Sequence, residues 1–155
     1  MAMERTLVML KPDCVQRRMC AQVLSRFERR GFKIVGCKML RMDAKMCEEH
    51  YAHIKDKPFF PRIREFMTSS PVIVMVLEGK EIVRLAREML GVTNARNAAV
   101  GTIRGDFALS NMMNLVHASD SAQTAQKEIA RFFEKGELFE WKAALQGSTC
   151  GSDEV

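Results

Sequence analysis

The alternation and spacing of hydrophobic residues divide the chain into four strands and five helices. Compact or alternating apolar runs predict strands at 5–11, 32–40, 72–77 and 112–116. Apolar residues at helical spacing predict helices around 20–27, at 43–53, at 61–69, around 82–89 and at 121–133. Gly31 and Gly91 stand where two of these helices should end. Residues 91–111 are polar and are predicted to form a long loop, which in a compact domain often carries function.

The order of these elements predicts the fold class. The predicted order is strand, helix, strand, two helices, strand, helix, loop, strand and helix. This order resembles the split βαβ pattern. We therefore expect an α+β, ferredoxin-like sandwich, with a four-stranded antiparallel sheet covered by helices on one face. The 155 residues suit one domain, which we place at 1–146, and the small polar tail 147–155 is expected to be flexible.

Composition narrows the class of protein. The chain is 47% hydrophobic and 28% charged, as globular domains are, and its longest apolar run, 72–77, is far shorter than a membrane span. The first residues, MAMERTLVMLK, lack the apolar core of a secretory signal. Five cysteines, an odd number without a CxxC pair, favour reduced thiols. We expect a cytoplasmic protein without membrane contact.

The net charge of +5 favours a polyanionic partner without choosing between nucleotides, nucleic acid and an acidic surface. Nucleic-acid binding is a secondary hypothesis, which rests on the pairs Arg17-Arg18 and Arg29-Arg30. Residues 30–37 only partly match an RNA-recognition strand, because Phe32 is its single aromatic residue.

His117 stands between a predicted strand and a predicted helix, and two interpretations of it are open. It is either a packed ring with both nitrogens bonded, or a nucleophile whose tautomer is held by Glu128. Asn114 and Ser119 lie within local hydrogen-bonding range of it. Glu128 is equally well explained as a surface acid that pairs with Arg131.

Three cations far apart in sequence suggest a phosphate clamp. Lys11 ends a strand, Arg87 lies in the last turn of a helix, and Arg104 lies in the long loop. If the sheet brings them together, they suit phosphate oxygens, and otherwise they serve surface solubility. The chain has no glycine-rich phosphate loop, since Gly79-Lys80 is followed by Glu81. A zinc site from Cys47, His50 and His53 is not favoured, because no fourth ligand is near.

Seven segments in order resemble the nucleoside diphosphate kinase family over Glu4 to Trp141. They are ERTLVMLKPD (4–13), RFERRGFKIVG (26–36), EHY (49–51), KDKPFF (55–60), LGVTN (90–94), GTIRGDF (101–107) and NLVHASDS (114–121). The resemblance implies transfer of the γ-phosphoryl group of a nucleoside triphosphate to a nucleoside diphosphate, by a ping-pong mechanism through phosphohistidine. It also implies Mg²⁺ carried by the nucleotide, broad base tolerance, and a homo-hexamer with a tetramer as the alternative.

The same resemblance implies roles for individual residues. His117 would be the nucleophile, Glu128 would orient it, and Tyr51 and Ser119 would support it. The residues expected to contact phosphates, sugar or base are Lys11, Phe59, Arg87, Thr93, Arg104 and Asn114.

Three positions depart from the family pattern. Cys14 and Ala118 replace glycines, and Ala95 replaces a proline in the long loop. If Cys14 or Ala118 had positive φ, the cost would be of order 1 kcal/mol. The loss of the proline bears on assembly, since in the family this loop lies near subunit contacts.

Overall fold

The computed structural model describes residues 3–142, so the predicted tail 147–155 and Cys150 lie outside the described residues. The elements follow in this order: β1 Met3–Leu10, α1 Pro12–Gln16, α2 Cys20–Arg29, β2 Lys33–Leu40, α3 Ala44–His50, α4 Phe60–Thr68, β3 Val72–Lys80, α5 Ile82–Leu90, a 3₁₀ turn Ala95–Asn97, α6 Ile103–Phe107, β4 Val116–Ala118 and α7 Ala122–Phe132. Over residues 3–142, every helix is too short or too polar to cross a membrane.

One four-stranded sheet organises the structure and confirms the predicted fold class. Its strand order is β2-β3-β1-β4, and every neighbouring pair is antiparallel. The central strand β1 pairs with β3 along its whole length, whereas β4 pairs with β1 through three residues only. In that short ladder His117 lies opposite Met9, so the histidine stands on an edge strand directly beside the central strand β1.

Helices cover both faces of the sheet, so the expectation of cover on one face was wrong. On one face Val8 and Leu10 of β1 pack in the same cluster as Phe27 of α2 and Ile82 of α5. On the other face Leu7 and Met9 pack with residues of α3, α4 and α7, among them Cys47, Phe66 and Phe132. Because successive side chains of a strand point to opposite faces, a strand buried on both sides needs an unbroken apolar run. The run Leu7–Leu10 has this form.

The fourth strand lies further along the chain than predicted. It covers Val116–Ala118, where the sequence indicated 112–116, so His117 is inside the strand and not after it. Ser110 Oγ accepts bonds from the N–H groups of Met112 and Met113, which curls this segment into a turn. Leu115 has a φ of 70°, in the left-handed region, so an extended strand begins only after it.

The long segment 91–111 contains two short helical elements that the prediction of a loop missed. The Asn94 side chain caps the 3₁₀ turn by accepting from the N–H of Arg96, and Thr102 caps α6 by accepting from the N–H of Gly105. Helix α1 was missed as well. These elements of three to five residues are too short to show an apolar period, so capping side chains and Pro12 are their sequence signals.

Candidate active site

A single cavity of about 940 Å³ brings together nine of the ten residues that the sequence singled out. These nine line it: Lys11, Tyr51, Phe59, Arg87, Thr93, Arg104, Asn114, His117 and Glu128. The tenth, Ser119, is fully buried behind the cavity wall, where it bonds Glu128. Strand β4 lies at the centre of this arrangement because its residues contact both the cations and the carboxylate.

His117 is held by a bifurcated contact with one carboxylate. Its Nε2 lies 3.0 Å and 3.1 Å from the two oxygens of Glu128, and its side chain is 26% exposed. An ionised carboxylate only accepts hydrogen bonds, so the proton belongs on Nε2. Nδ1 then carries the lone pair, and it has no hydrogen-bond partner among residues 3–142. The contact fixes one tautomer, which is what nucleophilic attack by an imidazole requires.

Glu128 projects from α7 into the protein, where it is 5% exposed. Ser121 caps this helix by accepting from the N–H of Thr124, which sets the helix start and hence the position of Glu128 two turns later. The hydroxyl of Ser119 donates to Oε2 at 2.6 Å. Burial opposes the charge, but the bonds from His117 and Ser119 outweigh it and hold the pKa of Glu128 below its usual value. The carboxylate therefore stays ionised.

The alternative pairing of Glu128 with Arg131 is not formed. Within residues 3–142 the ion-pair partners of Glu128 are His117 and His50, and Arg131 Nη1 lies 3.5 Å from His50 Nδ1. Tyr51 caps α3 and packs edge-on against His50, with ring centroids 4.7 Å apart, so it reaches the site through His50.

The three predicted cations converge on β4 and its neighbours. Lys11 donates to Asn114 Oδ1 at 2.8 Å and to the Met112 carbonyl, while Asn114 donates to the Thr93 carbonyl at 2.8 Å. Arg104 donates to the carbonyls of Val116 and Gly91. Arg87 reaches the Ala118 carbonyl at 3.4 Å. The three cations that the sequence singled out therefore lie together in the cavity that His117 also lines.

Burial and crowding make this cationic cluster costly without an anion. Burial lowers the pKa of Lys11 to about 8, with Arg104 adding to the effect and Asp13 opposing it. Burial and Arg87 lower the pKa of Arg104 to about 10. Desolvated like charges favour binding of a counter-charge, and phosphate is the anion whose geometry guanidinium groups match.

Gly91 gives Arg104 one of its acceptors. It ends α5 with a φ of 80°, and a Cβ at this position would lie 2.5 Å from Thr102 Oγ1. Only glycine fits both conditions, and its carbonyl then receives Arg104 Nη1 at 2.8 Å. The geometry of this turn thus positions the guanidinium of Arg104.

Two residues near His117 were missed by the sequence reasoning. Asp13 Oδ2 accepts from the N–H of Leu115 at 3.0 Å, and the Leu115 carbonyl accepts from the N–H of Lys11 at 2.8 Å. These bonds hold Leu115 in its left-handed conformation immediately before β4. Asp13 follows Lys11-Pro12, and this acid after a strand end was its only signal. His50 is the second, and its burial is visible only in the fold.

The substitutions at Cys14 and Ala118 carry no left-handed strain. The only non-glycine residues with positive φ in the described chain are Arg18, Glu81 and Leu115. Cys14 lies in α1 and Ala118 in β4, both conformations that any residue adopts. The cost considered for these two positions therefore does not arise. Ala95 is buried in the 3₁₀ turn.

Two groups of potential metal ligands lie at the cavity. Asp120 is an exposed lining carboxylate whose pKa is lowered chiefly by the hydroxyl of Thr124, so it is ionised. One exposed carboxylate beside a cluster of cations fits a divalent ion that takes its other ligands from phosphate and water. His50, His117 and Glu128 place ligand atoms within 4.8 Å of one another. This group differs from Cys47, His50 and His53, the set considered from the sequence. Within it, His117 and Glu128 already form a hydrogen bond with each other.

Comparison with known proteins decides the family. The family model described as nucleoside diphosphate kinase matches residues 4–138. The chain belongs to the nucleoside diphosphate kinase family. Its members transfer the terminal phosphoryl group of a nucleoside triphosphate to a nucleoside diphosphate, and they generally require a divalent cation. The chain is accordingly a phosphotransferase that binds nucleotides.

Individual relatives resemble the chain along its length. It is 49% identical to the nucleoside diphosphate kinase of Rhodopirellula baltica over 98% of this chain and 100% of that one. It is 50% identical to that of Gloeobacter violaceus over 92% and 96%. The solved structure of the Halobacterium salinarum nucleoside diphosphate kinase in complex with CDP superposes with a TM-score of 0.93 at 42% identity, covering 96% of this chain and 99% of that one.

His50 should make the stability of this kinase depend on pH below neutrality. Burial, with His117, lowers the pKa of His50 to about 3, while Glu128 acts in the opposite direction; the ordinary value is 6.5. Below pH 6.5 His50 therefore binds a proton in the unfolded chain but not in the folded chain. The stabilisation is complete above that pH and falls toward pH 3, by about 1.4 kcal/mol per unit.

Urea unfolding of the unchanged chain and of His50→Asn, from neutral pH to about pH 4, measures this effect. Asparagine does not titrate, so the stability advantage of the unchanged chain over the variant should shrink as the pH falls. A difference that is constant over this range would contradict the assignment of the low pKa to His50.

Proposed function

We propose that His117 carries the phosphoryl group between the two nucleotides. The observation that carries this proposal is the contact of His117 Nε2 with buried Glu128 at 3.0 Å, on a ring that borders a cationic cavity. The Nδ1 lone pair attacks the γ-phosphorus, the bond from that phosphorus to the β–γ bridging oxygen breaks, and its electron pair leaves with the nucleoside diphosphate. In the second half, a terminal oxygen of an acceptor diphosphate attacks phosphorus, and the N–P electron pair returns to Nδ1.

The cations and their neighbours act on the phosphates in this proposal. Lys11, Arg87 and Arg104 stabilise the charge that spreads over the transferred group, and their bonds to backbone carbonyls hold them in place before the nucleotide arrives. Thr93 and Asn114 contact the phosphates or the sugar. Because Asn114 bonds Lys11 and the Thr93 carbonyl together, these groups are positioned as one unit.

Mg²⁺ is the divalent ion that we propose, held by nucleotide phosphates with Asp120 as the nearest suitable protein carboxylate. When bound, it supplies charge neutralisation on the phosphate oxygens. Lys11, Arg87 and Arg104 then orient the nucleotide, and His117 attacks the phosphorus.

The test is the intact mass of the protein after exposure to ATP and Mg²⁺. One added phosphoryl group is expected, and the label from γ-labelled ATP should be stable in base and labile in acid, as phosphohistidine is. Adding a nucleoside diphosphate should discharge it with formation of the triphosphate. An enzyme that turns over without ever carrying the label would contradict the covalent mechanism.

Phe59 should support all bases similarly. Its ring is 50% exposed at the mouth of the cavity, at the start of α4, where a base can stack on it. Since every base has a π-face, we expect Phe59→Ala to cost about 1–3 kcal/mol of binding for each nucleotide, seen as a higher KM. Steady-state kinetics with four nucleoside diphosphates measures this. The exposed Phe139, outside the cavity, gives Phe139→Ala as the control. A loss confined to one base would contradict simple stacking.

Assembly and location follow from the family resemblance. We propose a homo-hexamer, with a tetramer as the alternative, and a cytoplasmic location. The large exposed residues Val100 and Leu109 of segment 91–111 suit subunit contacts. Light scattering measures the number of subunits. The arginine pairs 17–18 and 29–30 are exposed and lie outside the cavity, so nucleic-acid binding stays secondary. A steep salt dependence of oligonucleotide binding would support it.

A further inference from the structure

His50 is a buried histidine that the proposed mechanism does not use. It is the last residue of α3, and its side chain is 1% exposed. Its ring meets three others edge-on, with centroids 4.8 Å from His117, 5.3 Å from Phe132 and 4.7 Å from Tyr51. Its Nε2 is buried without a hydrogen-bond partner in the part of the chain that the structure describes. A buried polar atom without a hydrogen-bond partner lowers the stability of the fold, so the presence of a histidine here needs an explanation.

The other nitrogen of His50 faces the carboxylate that holds His117. His50 Nδ1 lies 3.6 Å from Glu128 Oε1, the same oxygen that lies 3.0 Å from His117 Nε2. The second oxygen, Oε2, receives the hydroxyl of Ser119 at 2.6 Å. Three side chains therefore surround one carboxylate, and His50 closes the flank that the other two leave open.

His50 also stands between Glu128 and a guanidinium. Arg131 Nη1 lies 3.5 Å from His50 Nδ1, and Arg131 makes no ion pair with Glu128 in residues 3–142. A guanidinium bound directly to the carboxylate would compete with His117 for its oxygens. Burial and the proximity of His117 keep the pKa of His50 low, so its ring is neutral and does not itself compete as a cation.

We propose that His50 is a positioning residue for phosphoryl transfer, whose Nδ1 faces Arg131 Nη1 at 3.5 Å and keeps this guanidinium from Glu128, so that the carboxylate serves His117. This inference rests on the proposed function of His117. Without His50 Nδ1 to hold it, Arg131 would be free to pair with Glu128, and His117 would lose its fixed tautomer. The consequence is slower chemistry with nucleotide binding nearly unchanged, since His50 lies behind His117 and Glu128.

A set of variants separates positioning from packing. His50→Leu fills the space without a polar atom, whereas the amide of His50→Asn can occupy the place of Nδ1. We expect His50→Leu to lower kcat and the rate of phosphoenzyme formation about ten- to hundredfold with little change in KM, and His50→Asn to restore most of it. Arg131→Gln in the His50→Leu background should also restore kcat, because the competing guanidinium is gone.

The distribution of His117 tautomers gives a readout that a packing role would not move. The ¹⁵N NMR spectrum of the unchanged protein should show Nε2 protonated, and that of His50→Leu a mixture of both tautomers. Wild-type kcat in His50→Leu, or equal losses of kcat in the leucine and asparagine variants, would overturn the inference. If His50→Leu fails to fold, His50→Gln carries the same test, because its amide reaches the place of Nε2 and not that of Nδ1. This variant should then lose kcat while its KM stays unchanged. Failure of the proposed function is distinguishable, because the unchanged protein would then carry no label on His117.

Discussion

Replacing His117 with alanine should lower phosphoryl transfer by at least about 10⁴-fold and remove the acid-labile label entirely. In the proposed mechanism the Nδ1 lone pair forms the bond to phosphorus, and no other side chain in the cavity offers a comparable nucleophile held by a base. The cations would still bind nucleotide, so nucleotide affinity should change little. Coupled-assay kinetics and labelling with γ-labelled ATP measure the two effects.

The third histidine of the chain provides the matched control. His53 is exposed in the turn after α3; it borders the cavity, but within residues 3–142 no carboxylate holds its ring, so His53→Ala should keep both label and turnover. Thermal unfolding of both variants shows that they are folded. Label or turnover persisting in His117→Ala would place the reactive group elsewhere and remove the basis of the assignment.

Glu128→Gln should give the next largest loss, about 10²–10⁴-fold in kcat. Glutamine keeps the size of the side chain but removes the charge that fixes the proton on His117 Nε2. Its amide N–H can instead donate to Nε2, which moves the imidazole proton to Nδ1 and occupies the attacking lone pair. KM for nucleotides should stay close to normal, because Glu128 contacts the histidine and not the phosphates.

Rapid-quench measurement of phosphoenzyme formation tests this expectation, since it reports the chemical step alone. Glu134→Gln is the matched control, because this acid is exposed just beyond the end of α7. Equal effects on kcat in the two variants, or a loss in Glu128→Gln that appears only in KM, would contradict the role of Glu128 in fixing the tautomer.

Long apolar runs in the sequence predicted their elements well, whereas short elements left little local signal. Strand β1 and helix α5 were predicted within a few residues, because their apolar runs are long and a proline or glycine marks their ends. Strand β4 was misplaced because three residues carry no period, and its start depends on the left-handed Leu115 and on bonds from Asp13. A backbone conformation held by a residue a hundred positions away leaves no local pattern.

The candidate site shows the same division. His117 and the cations were identifiable because their chemistry is uncommon beside apolar strands and because seven segments resemble one family. The burial of His50, its contact with Glu128 and its separation of Arg131 from that carboxylate had no sequence signal. Only the packing of α3 against α7 creates these contacts.

The amino-acid sequence by itself indicated the longer strands and helices, the family and the candidate reactive groups, since hydrophobic period, turn residues and side-chain chemistry are local properties. The tertiary structure decided which of these groups meet. Lys11, Asn114 and Thr93 join one hydrogen-bonded unit, and His117 receives Glu128 from a neighbouring helix, because antiparallel pairing of β1 with β4 brings distant segments to one place. Distances between residues remote in sequence depend on the packing of the whole chain, which no single segment encodes.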